Sequence, residues 1–166
     1  MFRPGLRSDP RAFSLSDSCS VECDVVTPPS RTVISVIAGL IFRNQRVLIC
    51  QRRHDGAFAL KWEFPGGKIE DRESEAEGLR RELKEELAID VRESEFFSGY
   101  PYSYEDGPTV FLRFYWVKSF QGEPQNLVFE QISWVKPDDL GNLDFLEGDR
   151  RLIMQIIERQ HIFRNA

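Results

Sequence analysis

The sequence predicts an α+β domain: roughly six or seven strands, one central helix and one terminal helix. Three observations carry this. Runs of β-branched and aromatic residues at 33–42, 46–52, 96–104, 109–120 and 132–135 are separated by turn residues, the pattern of strands. In the middle of the chain Ala76, Leu79, Leu83 and Leu87 recur at i, i+3, i+7 and i+11, one narrow stripe on a helix of 3.6 residues per turn. Near the end Leu152, Ile153, Ile156 and Ile157 fall on one apolar side of a helix, predicted from about Glu147 to Gln160.

Taken in order, residues 1–30 have no sustained periodicity, with Pro4, Pro10, Pro28, Pro29 and six serines. They read as a flexible tail ahead of one domain at 31–166, a length sufficient for a sizeable core. The tail has no apolar stretch suited to a secretory signal. A cleaved organelle presequence is the alternative, favoured by Arg3, Arg7 and Arg11 and opposed by Asp9, Asp17, Glu22 and Asp24. The longest apolar run, 33–42, is far short of the ~20 residues that span a bilayer, so the expectation is a soluble protein with no membrane partner. Cys19, Cys23 and Cys50 are an odd set without nearby zinc ligands. Reduced thiols and a cytoplasmic location are therefore expected.

The runs 33–42 and 46–52 meet at a polar corner, Asn44-Gln45, which predicts a hairpin. Gly39 within the first run marks a bulge or a close approach. A polar loop, Arg52-Arg53-His54-Asp55-Gly56, leads to Trp62-Glu63-Phe64-Pro65-Gly66-Gly67-Lys68, where a short β-like run stops at Pro65 and two glycines permit a tight turn. After the helix, the 96–104 and 109–120 runs flank Glu105-Asp106-Gly107-Pro108, a second hairpin signal. Tyr100, Tyr102, Tyr104, Phe111, Phe114 and Tyr115 lie there as sheet aromatics or as stacking surfaces for a base. Gly122-Glu123-Pro124 closes that strand, and Lys136 to Leu140 makes a turn before the last helix.

Charge narrows the function. The net charge is −5, and the segment 71–86 alone carries seven acidic and four basic residues. A groove for duplex nucleic acid is usually basic, so none is expected. On the predicted helix Glu82, Glu85 and Glu86 share an arc of about 100° beside the apolar stripe, with Glu75 close by. Like charges so placed repel. Either the face is simply solvated, with i,i+4 pairs such as Arg81 to Glu85, or a hard divalent cation neutralises it. Mg²⁺ is usually held by one or two carboxylates together with water and substrate phosphates.

The residues also match a family. Gly67, Glu73, Arg81-Glu82-Leu83, Glu85-Glu86 and Ile89 resemble the Nudix box, and Glu63-Phe64-Pro65-Gly66-Gly67-Lys68-Ile69-Glu70 is similar to its MutT branch. Ala88 is the one departure. The family usually has Gly there, where a helix ends in left-handed backbone. The looser resemblance runs from about Val33 to Ile157.

The resemblance implies a Nudix fold, a curved mixed β-sheet sandwiched between helices in an α/β/α arrangement. It implies a pyrophosphohydrolase that cleaves a nucleoside triphosphate, 8-oxo-dGTP or a related nucleotide, to monophosphate and pyrophosphate, sanitising the nucleotide pool. Gly67 through its carbonyl, Glu82, Glu85 and Glu86 would hold Mg²⁺, with Mn²⁺ as substitute. Arg81 would orient Glu82, and Leu83 and Ile89 would be core. The general base is either Glu82 or Glu130, the latter in the loop before the last strand. Arg53 either meets substrate phosphate or is a solvated loop cation, and His54 reads as a loop residue. Asp149 either reads the base edge or caps the last helix. As an ionised group it accepts without donating, leaving purine against pyrimidine open. Ile34, Val36 and Val110 align with apolar pocket walls. Other Nudix substrates remain as alternatives: nucleotide sugars, dinucleoside polyphosphates and RNA 5′ ends. So does a non-catalytic nucleotide-binding regulatory module, although such modules tend to lose box glutamates and this chain keeps them. Nothing in the sequence specifies an oligomeric state.

Overall fold

The computed structural model describes residues 34–104 and 107–163. The expected tail at 1–30, its boundary at 31, and Cys19 and Cys23 lie outside the described residues. Strands β1 (Ile34–Arg43) and β2 (Arg46–Gln51) form the first hairpin. Asn44 and Gln45 have φ of 51° and 60°, the left-handed pair of a type I′ turn whose twist matches the strands it joins.

Two very short strands follow, β3 (Trp62–Glu63) and β4 (Gly66–Lys68). The glycines expected in a tight turn are thus in β4, which runs antiparallel to β1 with Ile37 opposite Gly67. Helix α1 (Glu75–Leu87) opens on a capping box: Ser74 Oγ accepts from the Glu77 N–H, and the Glu77 carboxylate accepts from the Ser74 N–H at 2.9 Å. It closes on Ala88 at φ 58°, ψ 26°. The left-handed end is therefore real, and Ala occupies it at a steric cost that Gly would not incur.

Strand β5 (Asp90–Ser103) starts directly after the helix, six residues earlier than the aromatic run suggested. Its pairing to β6 (Thr109–Gln121) slips at Val91/Glu93, Glu93/Ser94 and Phe96/Ser98. Such bulges destroy the period-2 alternation by which a strand is read, so Arg92-Glu93-Ser94-Glu95 did not look like one. β7 (Gln131–Val135) lies beside β2. The last helix is shorter than expected: α2 covers Arg150–Glu158, flanked by single 3₁₀ turns at Glu147–Asp149 and Gln160–Phe163. A further 3₁₀ turn at Pro137–Asn142 replaces the expected turn.

The path of the sheet is β3-β2-β1-β6-β5, with β4 also on β1 and β7 also on β2. β1 and β6 are parallel and the other pairs antiparallel, so the sheet is mixed. Strand alternation sends residues to opposite faces. Ile37, Ile41, Leu48 and Cys50 pack on Leu79, Leu83 and Leu87 of α1, with Ile89. Ala38, Leu40, Val47 and Phe114 pack with Leu152, Ile153 and Ile156 of α2. The expected α/β/α sandwich is the observed one. Leu83 and Ile89 are fully buried, as core anchors should be. Gly39 marks a close approach rather than a bulge: a Cβ there would lie 2.8 Å from Leu83 Cδ1.

Candidate active site

β4 carries the loop side of the site. Gly66 has φ 146°, and a Cβ on it would sit 2.1 Å from the Ile37 carbonyl oxygen. Its N–H donates to Glu86 Oε2 at 2.8 Å. At Gly67 a Cβ would meet Glu82 Oε1 at 2.3 Å. Gly66 therefore lets β4 lie close on β1 while its N–H reaches Glu86, and Gly67 lets the β4 backbone lie directly against the Glu82 carboxylate.

Arg81 is the hub of the helix side. Its Nε and Nη2 each donate to Glu73 at 2.9 Å, Nη1 donates to Glu82 Oε1 at 2.9 Å, and Nη2 also donates to the Lys68 carbonyl at 3.0 Å. A planar fork satisfied on several sides is fixed in orientation. Glu73 is held below the usual carboxylate range by Arg81, and then by the Glu70 N–H. Glu85 lies 3.4 Å from Arg81 and is largely exposed. Glu86 is half-buried instead, and desolvation, opposed by the Gly66 N–H and reinforced by Glu82 and Glu63, pushes it up to about 8. Glu75 has left the cluster, bonded to the Tyr115 hydroxyl and to Arg113.

Among the described residues no three His, Cys, Asp or Glu side chains converge tightly enough to cage an ion. The donor set still fits a hard cation. It is all carboxylate and carbonyl oxygen, one carboxylate is desolvated beside another, and Gly67 keeps the space at Glu82 open. Such a cation would complete its shell with water and phosphate.

Two cavities adjoin this cluster. One of about 250 Å³ is lined by Glu86, Glu63, Arg52, Arg53, Val128 and Phe129 among others. The other, about 410 Å³, is lined by Val36, Ala38, Val110, Leu112, Phe114 and Asp149 among others. Arg52 and Glu63 border both. They form a forked ion pair, with Arg52 Nη1 donating to both Glu63 oxygens at 3.1 and 2.8 Å. Burial pushes the Glu63 carboxyl up and Arg52 draws it back. A larger cavity of about 550 Å³ beside Asn44, Gln45 and Lys136 includes none of the carboxylates of the box.

Several sequence expectations change here. Asp149 does not cap α2: its side chain makes no cap hydrogen bond and its backbone is helical, with φ −88°. The Tyr100 hydroxyl takes that place, accepting from the Leu152 N–H at 3.1 Å and donating to the Gly148 carbonyl at 2.9 Å. Asp149 is 6% exposed. Burial, then the charge of Glu63, push it up to about 8 against a bond from the Phe64 N–H. Burial therefore favours the protonated carboxyl, a donor as well as an acceptor, over the ionised acceptor expected from the residue type.

Ile34 does not line the 410 Å³ cavity; one step of the same face further out on β1, it packs beside the α2 core. Arg53 reaches the smaller cavity, but its guanidinium is on Asp55 at 3.1 Å. Glu130 is not gathered with the box glutamates. It accepts from His54 Nδ1 at 2.9 Å and from the His54 N–H at 3.4 Å, and is held below the usual range by them.

Arg52, Glu63 and the role of Glu73 were missed. A signal for Arg52 existed: it continues the Leu48, Cys50 parity that faces α1, whereas Arg53 does not. Glu63 is in register with Cys50 and so shares that face, but this depends on a pairing that the sequence does not display.

With this geometry the comparisons agree. The NUDIX domain family model matches residues 32–156, and the chain belongs to that family. It is an enzyme, a Nudix hydrolase, of a family that generally uses divalent metals. It is 31% identical to the 8-oxo-dGTP diphosphatase of Haemophilus influenzae over 80% of this chain and 98% of that one. It is 33% identical to the CTP pyrophosphohydrolase of Escherichia coli over 64% of this chain and 78% of that one. A solved MutT structure, from work on Aliivibrio salmonicida and Vibrio cholerae, superposes with a TM-score of 0.67 and 33% identity, covering 76% of this chain and 98% of that chain. No helix among the described residues is long and apolar enough to cross a membrane.

Proposed function

We propose that this enzyme is a Mg²⁺-dependent pyrophosphohydrolase of nucleoside triphosphates, 8-oxo-dGTP or a related nucleotide, releasing the monophosphate and pyrophosphate. One observation carries the reading: a single ion pair, Arg52 with Glu63, borders both a largely apolar cavity that Asp149 helps to line and a cleft that Glu86 helps to line. A ligand with a flat apolar head and a polyphosphate tail spans such a pair of spaces.

In this reading Glu82, Glu85, Glu86 and the Gly67 carbonyl hold Mg²⁺, with Mn²⁺ as substitute. When bound, the metal screens the phosphate charges and acidifies the attacking water. Arg81 keeps Glu82 in place, and Glu82 takes the proton of the water as its oxygen attacks phosphorus and the bridging oxygen leaves. Glu82 is the better of the two base candidates, since Glu130 is occupied by His54. Arg53 exchanges Asp55 for a phosphate when the tail enters.

Asp149, in the protonated form that its burial favours, presents an O–H and a carbonyl side by side. Those pair with an edge offering an adjacent acceptor and donor, such as O6 and N7–H of 8-oxoguanine. Cytosine N3 and the N4 amino group offer the same pair, so CTP is the second reading, favoured by the likeness to the Escherichia coli enzyme. A panel of oxidised and normal nucleotides, incubated with Mg²⁺ and with products identified, tests both. Release of pyrophosphate from 8-oxo-dGTP far faster than from CTP supports the first; the reverse supports the second. Cleavage of neither, but of a nucleotide sugar or dinucleoside polyphosphate, overturns both. In this proposal residues 1–30 are dispensable for turnover, and the enzyme works in the cytoplasm.

A further inference from the structure

We propose that Phe58 determines how tightly this enzyme holds the base: with Tyr104 it forms an aromatic clamp at the cavity lined by Asp149. The inference rests on the reading that this cavity takes a nucleobase.

Phe58 stands on the loop between β2 and β3 with a left-handed backbone, φ 55°, and Leu60 follows at 61°. Bulky residues rarely adopt this conformation, and it persists only where the surroundings impose it. Here they do. Arg52 Nε donates to the Ala57 carbonyl at 2.8 Å, Gln51 Nε2 to the Leu60 carbonyl at 2.8 Å, the Leu60 N–H to the Arg52 carbonyl at 3.2 Å, and the Lys61 N–H to the Phe58 carbonyl at 3.2 Å. The loop is thus fastened on both sides of Phe58, partly by the same Arg52 that borders both cavities.

What this fastening achieves is not burial, because Phe58 remains 48% exposed. Its ring leans on Tyr104 instead, with centroids 5.2 Å apart and planes 34° from each other. Tyr104 is steadied by an edge contact with Tyr102 at 4.9 Å. Phe58 and Tyr104 both border the cavity that is lined by the apolar Val36, Val110 and Leu112 and by Asp149 among its polar residues. Core packing does not explain a large apolar ring held in a strained conformation and left half in water. A flat π-system entering the cavity would cover it. Stacking on such rings tolerates any base, so the clamp supplies affinity while Asp149 chooses the edge. Purines, with the larger face, gain most.

The test compares wild type, Phe58→Ala, Phe58→Trp and Phe58→Gly. With Mg²⁺, KM of the Phe58→Ala enzyme for a purine nucleoside triphosphate should rise on the order of tenfold to a hundredfold. It should rise less for a pyrimidine one, with kcat unchanged because the box glutamates are untouched. Phe58→Trp should restore KM. Phe58→Gly should bind as poorly as Phe58→Ala while melting at or above the wild-type temperature, since Gly accepts φ 55° freely, which separates weak binding from misfolding. An unchanged KM in Phe58→Ala, or a fall in kcat at constant KM, overturns the clamp. A wild type that cleaves no nucleoside triphosphate overturns the proposed function instead. The clamp is then judged by calorimetry with a purine nucleoside monophosphate: binding weakened in Phe58→Ala supports it, while equal binding, or none to wild type, overturns it.

Discussion

Gly67 and Glu82 compete for one space: a Cβ on Gly67 would fall 2.3 Å from one Glu82 carboxylate oxygen and 2.6 Å from the other. The glycine is thus part of how Glu82 is aimed. Its loss cannot be absorbed cheaply, because Arg81 holds the carboxylate from the other side at 2.9 Å. Gly67→Ala should lower kcat by orders of magnitude while far-UV circular dichroism stays that of wild type. A variant with wild-type turnover would show that the position of Glu82 is not needed for catalysis.

Glu86 and Glu130 separate the two neighbourhoods. Glu86 is desolvated beside Glu82, whereas Glu130 is exposed and bonded to His54. Glu86→Gln should therefore nearly abolish turnover, and Glu130→Gln should retain it within a fewfold. Steady-state rates at saturating Mg²⁺ check both, and a silent Glu86→Gln with a dead Glu130→Gln would reverse the assignment of the site.

Ala88 sits at φ 58° at the end of α1. An Ala in that region costs roughly 1 kcal/mol relative to Gly, offset in part by the freedom Gly regains in the unfolded chain. Ala88→Gly should raise the unfolding free energy by up to about 1 kcal/mol, measured in urea, without altering kcat. A loss of stability would mean that the unfolded-state term outweighs the strain.

Asp149 makes stability depend on pH in a stated direction. Between the ordinary carboxylate range and about 8 the folded protein keeps a proton that the unfolded chain releases. Stability from this group is highest in acid, falls as pH rises through that window, and levels off above it. Asp149→Asn carries no such proton and can still accept from the Phe64 N–H. Its melting temperature relative to wild type should climb across the window and then run parallel. Parallel curves throughout would mean that Asp149 is ionised in the folded state.

Much of this protein was legible because it is local. The spacing of Ala76, Leu79, Leu83 and Leu87 requires a helix with one buried face, and the box residues between them follow from 3.6 residues per turn wherever that helix packs. The Asn44-Gln45 corner needed only its own backbone preference. What the sequence could not determine depends on distant segments meeting. Arg52 and Glu63 become one ion pair when β3 lies on β2, and the Asp149 carboxyl is pushed toward its protonated form when folding buries it at the Phe64 N–H and near Glu63. Tyr100, 52 residues from Leu152, takes over the helix cap. Charge state, capping and the wall between two cavities are properties of desolvation and proximity, and those exist only in the folded chain.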